Sequence, residues 1–167
     1  MNIILIGYRG TGKSVVGQQL ADRLQMPCIS MDNRIIEKAG MSVPEIVAQS
    51  GWPGFRDMET AVARELAERD NIIIDCGGGV IERPENIDAL KTGGTIIWLK
   101  ASVDVIVSRI CTDTQRPALT DGKTFTEEVA EVLERRTPLY QAAAHHEINT
   151  DPLTPETIAD RIIRLCR

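Results

Sequence analysis

Hydrophobic and polar positions along the chain follow two rhythms. Short, nearly unbroken β-branched runs read as buried strands, and stretches with apolar residues three and four apart read as helices. Asn2 to Ile6 (NIILI) is the first such run and ends on Gly7. Lys13 to Leu24 follows with Val16, Leu20 and Leu24 at helical spacing, so the chain opens with strand, glycine-rich turn and helix. The same reading predicts strands over Pro27 to Met31, Asn71 to Cys76 (NIIIDC), Gly94 to Leu99 (GTIIWL) and Glu147 to Asn149. It predicts helices over Asn33–Ala39, Val43–Ser50, Arg56–Arg69 (Val62, Leu66 and Ala67 inward), Pro84–Lys91, Val103–Ile110, Phe125–Ala144 and Pro155–Leu165. Strands alternating with helices imply a parallel sheet covered on both faces. The expected fold is α/β, a three-layer sandwich around a five-stranded parallel sheet.

One stretch fits neither rhythm. Residues 112–124 (TDTQRPALTDGKT) are polar, carry Pro117 and Gly122, and are long for a connection in a small domain. Such segments are commonly lids, so a mobile lid is expected there. No repeat or linker interrupts the pattern, and residues 1–167 read as a single domain. At 43% hydrophobic and 26% charged, the composition excludes wholesale disorder. Nineteen Lys and Arg against 24 Asp and Glu leave a net charge of −5. That balance argues against nucleic-acid and membrane partners while allowing a local basic pocket for a small anion. The apolar start, Met1 to Gly7, is too short for a signal segment, and no run reaches the ~18–20 residues of a membrane span. Cys28, Cys76, Cys111 and Cys166 form no CxxC pair and read as reduced thiols of a cytoplasmic protein. His145 and His146 are adjacent, point apart on any regular element, and read as loop or surface residues rather than metal ligands.

Gly7-Tyr8-Arg9-Gly10-Thr11-Gly12-Lys13-Ser14 matches G-x-x-x-x-G-K-[ST] in full, between a predicted strand and a predicted helix. Glycines allow positive φ, so successive N–H groups of Gly10, Thr11, Gly12, Lys13, Ser14 and Val15 can turn onto phosphate oxygens. The helix beginning at Lys13 points its positive end at the same anion. Lys13 can reach the β and γ phosphates, and the Ser14 hydroxyl can ligate Mg²⁺. A nucleoside triphosphate site follows, without choosing between a GTPase, a motor and a small kinase. No N-K-x-D guanine signature is present, and the chain is short for a motor.

Phosphoryl transfer further needs an acceptor pocket, a group to orient the acceptor hydroxyl, cations for the transferring charge and a barrier to water. Ligands of open parallel sheets bind at the C-terminal strand ends. Asp32 is expected to end the second strand, and Gly77-Gly78-Gly79 the third. Arg56 is expected to open a helix with Glu59 as its ion-pair partner three residues on. Arg116 falls in the lid and Arg136 late in the long helix.

The phosphate loop, Asp32-x-x-Ile35 with Gly40-Met41-Ser42, Gly54-Phe55-Arg56-x-x-Glu59, the glycine triplet, Arg116-Pro117 and Arg136-x-Pro138-Leu139-Tyr140 occur in that order. This ordered set resembles the shikimate kinase family of P-loop kinases over residues 7–140. The resemblance implies transfer of the ATP γ-phosphate to the 3-hydroxyl of shikimate, in aromatic amino-acid synthesis, by a monomer whose partner is that small molecule. It implies that Arg56 and Arg136 hold the shikimate carboxylate with help from N–H groups of Gly77, Gly78 and Gly79. Asp32 would orient or deprotonate the attacking hydroxyl, and Lys13 and Arg116 would stabilise the transferring phosphoryl group. Arg109 would stack on adenine, with Pro155 as the opposite wall. The other readings are a related kinase acting on gluconate and a nucleotide-binding regulator without catalysis.

Shikimate kinases usually carry Asp-x-Asp near the end of the second strand, the first Asp helping to hold Mg²⁺. Counting back from Gly40 puts Ser30 at that first position and Asp32 at the second. The third strand reads Ile72-Ile73-Ile74-Asp75-Cys76-Gly77-Gly78, an apolar run followed by Asp-x-x-Gly, where the family often has a small or hydroxyl residue at position 75. Asp75 is therefore expected to supply the carboxylate missing at Ser30.

Overall fold

The computed structural model describes residues 1–110 and 124–167. The predicted lid, apart from Thr124, and its Arg116 lie outside the described residues.

Five strands, β1 (Asn2–Ile6), β2 (Cys28–Ser30), β3 (Ile73–Asp75), β4 (Gly94–Lys100) and β5 (His146–Asn149), form one parallel sheet in the order β2-β3-β1-β4-β5. Around it pack α1 (Lys13–Leu24), α2 (Met31–Ala39), α3 (Val43–Ala67), α4 (Pro84–Gly93), α5 (Val103–Ile110), α6 (Phe125–Ala143) and α7 (Pro155–Leu165). The expected three-layer sandwich is the observed one. Successive strand residues point to opposite faces, and the central strand divides its side chains accordingly. Ile4 and Ile6 join a core with Ile35, Phe55, Leu66, Leu90 and Tyr140. Ile3 and Leu5 join a second core with Val16 and Leu20 of α1 and Ile158 and Ile162 of α7. Burial on both faces explains why β1 reads as an unbroken apolar run rather than an alternating one. A third cluster, Tyr8, Ile106, Ile110, Val129 and Val132, ties α5 and α6 to the loop after β1.

Several elements differ from the sequence reading, the most informative for local reasons. The second strand stops at Ser30, whose hydroxyl accepts from Asn33 N (3.2 Å) and caps α2. Asp32 thus sits in the first turn of α2 rather than at a strand end. Helix α3 runs through both predicted helices and bends at Gly51 (φ 69°, ψ 176°), and its second half is already helical at Pro53. Proline lacks the N–H that a first helical turn leaves unpaired anyway, so Arg56 lies one turn inside this half instead of opening it. On its inward face Ala63 is buried, whereas Ala67 is only half-buried. After the glycine triplet the chain makes a 3₁₀ turn, Val80–Glu82, that no periodicity announced. His146 begins β5, and His145 extends the ladder, its N–H donating to Ile96 O and its Nδ1 accepting from Ile96 N, both at 2.9 Å.

The order of the strands puts the topological switch beside β1, where connections leave for opposite sides of the sheet. The loops after β1, β2 and β3 therefore meet on one rim, the position at which open α/β sheets bind ligands.

Candidate active site

Gly10 (φ 83°) and Gly12 (φ 93°) turn the loop after β1 back on itself. Gly12 is the N-cap of α1 and has no side chain to occupy the first-turn N–H groups, which leaves them for an anion. Lys13 is buried and donates through Nζ to Gly7 O (2.8 Å) and Tyr8 O (3.0 Å), bracing the loop. The Thr11 hydroxyl and N–H both donate to Tyr8 O (3.0 and 3.4 Å), tightening the same turn. Ser14 Oγ donates to Asp75 Oδ2 at 2.6 Å. That bond brings a loop hydroxyl and a strand-end carboxylate together across 61 residues of sequence. Ser30 and Asp75 are register partners on β2 and β3. A carboxylate at position 75 is thus displaced by one strand spacing, ~4.8 Å, from one at position 30. A cavity of about 280 Å³ opens here, bordered by Arg9, Gly12, Lys13, Ser14, Asp32 and Asp75, with Gly77 and Gly78 in its wall.

The glycine triplet is where the predicted acceptor residues converge. A Cβ at Gly77 would lie 2.9 Å from Asp32 Oδ1 and 3.1 Å from Glu59 Oε2. One at Gly78 would lie 3.3 Å from Arg136 Nη1, and one at Gly79 only 2.2 Å from Arg56 Nη1. The absent side chains make room for two guanidiniums and two carboxylates. Arg56 pairs with fully buried Glu59 (2.9 Å), as the spacing suggested, and its Cζ lies 5.3 Å and 5.4 Å from the ring centres of Trp52 and Phe55. Arg136 is buried, lies 5.7 Å from the Tyr8 ring centre, and donates through Nε to Glu82 Oε1 (2.7 Å). Burial tends to raise the Glu82 pKa, but hydrogen bonds and charge from Arg135 and Arg136 prevail and hold it below its ordinary value. Tyr140 donates to Gly78 O, and burial raises its pKa despite the opposing charge of Arg136. Burial, with Asp75 adding to it, likewise pushes the Cys76 thiol well above its ordinary value, so this cavity-lining cysteine is neutral at pH 7.

On the other side of the loop lies a cavity of about 320 Å³, bordered by Arg109, Thr150, Leu153 and Pro155. Arg109 reaches over the loop to donate to Gly10 O (2.9 Å). Gly10, Gly12 and Val15 border both cavities, so one elongated ligand can run along the loop from the first to the second. A family model described as shikimate kinase matches residues 9–167. The chain belongs to the shikimate kinase family. It is accordingly an enzyme, an ATP-dependent kinase by family. The shikimate kinase of Caldicellulosiruptor bescii is 36% identical over 164 residues, covering 98% of this chain and 94% of that one. That of Syntrophus aciditrophicus is 39% identical over 175 residues, covering 98% and 89%. The structure of the shikimate kinase from Acinetobacter baumannii in complex with shikimate superposes with a TM-score of 0.93 at 34% identity, covering 98% of this chain and 91% of that one.

Three residues of the rim had no role assigned in the sequence reading. Arg9 borders the first cavity and places its Cζ 5.9 Å from the Phe125 ring centre. Its one sequence signal was a cation inside the phosphate loop. Tyr140 and Glu82 hold Gly78 and Arg136, and nothing at their own positions announced partners 62 and 54 residues away.

Proposed function

We propose that this chain transfers the γ-phosphate of ATP to the 3-hydroxyl of shikimate, giving 3-phosphoshikimate and ADP, a step of aromatic amino-acid synthesis. The observation that carries the reading is the convergence of Arg56, Arg136 and Asp32 on the glycine triplet, beside the phosphate loop. Shikimate offers one carboxylate and three hydroxyls, and two planar guanidinium forks suit the two carboxylate oxygens. Asp32 accepts from a ring hydroxyl and orients or deprotonates the attacking one. Gly10 to Val15 hold the phosphates through backbone N–H groups, and Lys13 turns from the loop carbonyls toward the phosphoryl oxygens. Arg116 shares that charge. Arg109 and Pro155 form the walls for adenine.

Ser14 and Asp75 fit a hard divalent cation, being two oxygen donors already 2.6 Å apart at the phosphate cavity. Among the described residues no group of three or more His, Cys, Asp or Glu could hold a metal ion. Kinase Mg²⁺ rarely needs one, because substrate phosphates and water complete its shell. When bound, Mg²⁺ supplies neutralisation of the phosphate charge.

No helix among the described residues is long and apolar enough to cross a membrane, and the three described cysteines are free. The proposed enzyme is a single-domain monomer acting on shikimate in the cytoplasm, where thiols stay reduced. Incubation with Mg²⁺, ATP and shikimate, followed by phosphorus–proton correlation, tests the assignment. A new phosphomonoester coupled to the proton on carbon 3 is expected. A phosphate on another carbon, or inorganic phosphate alone, contradicts it.

A further inference from the structure

Arg135 and Arg136 are neighbours on α6 with opposite surroundings, the first side chain 56% exposed and the second 5%. One carboxylate answers both. Glu82 accepts from Arg136 Nε at 2.7 Å through Oε1 and from Arg135 Nη1 at 2.8 Å through Oε2. We propose that Glu82 is a positioning residue for the acceptor carboxylate, acting through Arg136 without touching the substrate. The inference rests on the assignment of that carboxylate to Arg136.

Three features of the geometry carry it. A guanidinium is a rigid planar fork whose orientation decides which donors face a ligand. Glu82 takes the Nε side, while Nη1 is the atom nearest the Cβ position of Gly78, in the cavity wall. Holding Nε therefore fixes the rotation that presents the terminal nitrogen to the rim. Glu82 is also built into the backbone of the triplet: its own N–H donates to Gly79 O at 3.0 Å and closes the 3₁₀ turn. Buried Asn86 braces that turn from behind, donating through Nδ2 to Val80 O at 3.0 Å. Glu82 thus bears on the Arg136 guanidinium through its side chain and on the triplet through its backbone, beside Tyr140, which donates to Gly78 O.

Charge supplies the third feature. Arg56 reaches the triplet with Glu59, and Arg136 reaches it with Glu82, so two cations converge without meeting unpaired. Because Glu82 is shared with Arg135, the trio keeps one net positive charge for an incoming anion. This separates two roles by sign. Were Glu82 only a neutralising charge, its removal would strengthen attraction for shikimate. As a positioning group, its removal weakens binding even though the site becomes more positive.

Steady-state kinetics of Glu82→Ala and the near-isosteric Glu82→Gln, with Arg136→Ala for reference, test the proposal. Glu82→Ala should raise the shikimate KM about tenfold, since a small misplacement of a binding group costs that much or more, with kcat and the ATP KM within about twofold of the parent. Glu82→Gln keeps an acceptor oxygen and should fall between the two. The double variant Glu82→Ala/Arg136→Ala should match Arg136→Ala alone. With the carboxamide analogue of shikimate, the difference between Glu82→Ala and the parent should vanish, which a general loosening of the fold would not produce. An unchanged or lowered shikimate KM in both Glu82 variants, with Arg136→Ala impaired, overturns the inference. An unimpaired Arg136→Ala overturns instead the carboxylate assignment beneath it.

Discussion

Ser30 and Asp75 are register partners at the ends of neighbouring strands, and Asp75 bonds the hydroxyl of Ser14 in the phosphate loop. A carboxylate at position 75 thus stands one strand over from position 30, at the proposed cation site. Asp75→Asn should raise the Mg²⁺ concentration for half-maximal activity about tenfold or more, as loss of a group holding a metal commonly does. An unchanged Mg²⁺ titration would remove Asp75 from the metal site. Gly79 isolates the acceptor side in the same way. Its φ of −94° suits any residue, yet a Cβ there would overlap the Arg56 guanidinium. Gly79→Ala should therefore raise the shikimate KM about 100-fold, the equivalent of about 3 kcal/mol for a displaced charge partner. An unaltered KM would separate Arg56 from the acceptor. Local pairings such as Arg56 with Glu59 were legible because helical spacing fixes them. Glu82 with Arg136 was not, because only the folded chain brings positions 54 apart within 2.7 Å.

Elements were legible where periodicity was long and clean. Helices α1, α5 and α7 and strand β1 fall on their predicted bounds. Boundaries moved where single residues decided them, as when Ser30 capped α2 earlier than the apolar pattern implied. Gly51 is the most consequential of these points. At φ 69° and ψ 176° it occupies a region essentially restricted to glycine. The bend there starts the half of α3 that carries Trp52, Phe55, Arg56 and Glu59, with Trp52 and Phe55 packed edge to face at 5.6 Å. Gly51→Ala should cost about 1–3 kcal/mol and lower the melting temperature by roughly 5 °C in a thermal scan. An undiminished melting temperature would show that the bend tolerates a side chain.

For the whole molecule, the sandwich follows from composition and alternation, whereas the order β2-β3-β1-β4-β5 is written in no single segment. That order makes the site, because it brings the ends of β1, β2 and β3 to one rim and lets two cavities meet along the phosphate loop. The nucleotide side was legible from a contiguous motif. The acceptor side was legible only as scattered residues, and its assembly depends on α2, α3 and α6 packing against one face of the sheet. Phosphoryl transfer requires that this rim recognise an acceptor as well as a nucleotide. The direct measurement is coupled ADP release with Mg²⁺ and ATP, in the presence of shikimate, of gluconate, or of no acceptor. Rapid ADP release with shikimate alone is the predicted result. Equal release with all three, or none with shikimate despite ATP binding, would contradict it.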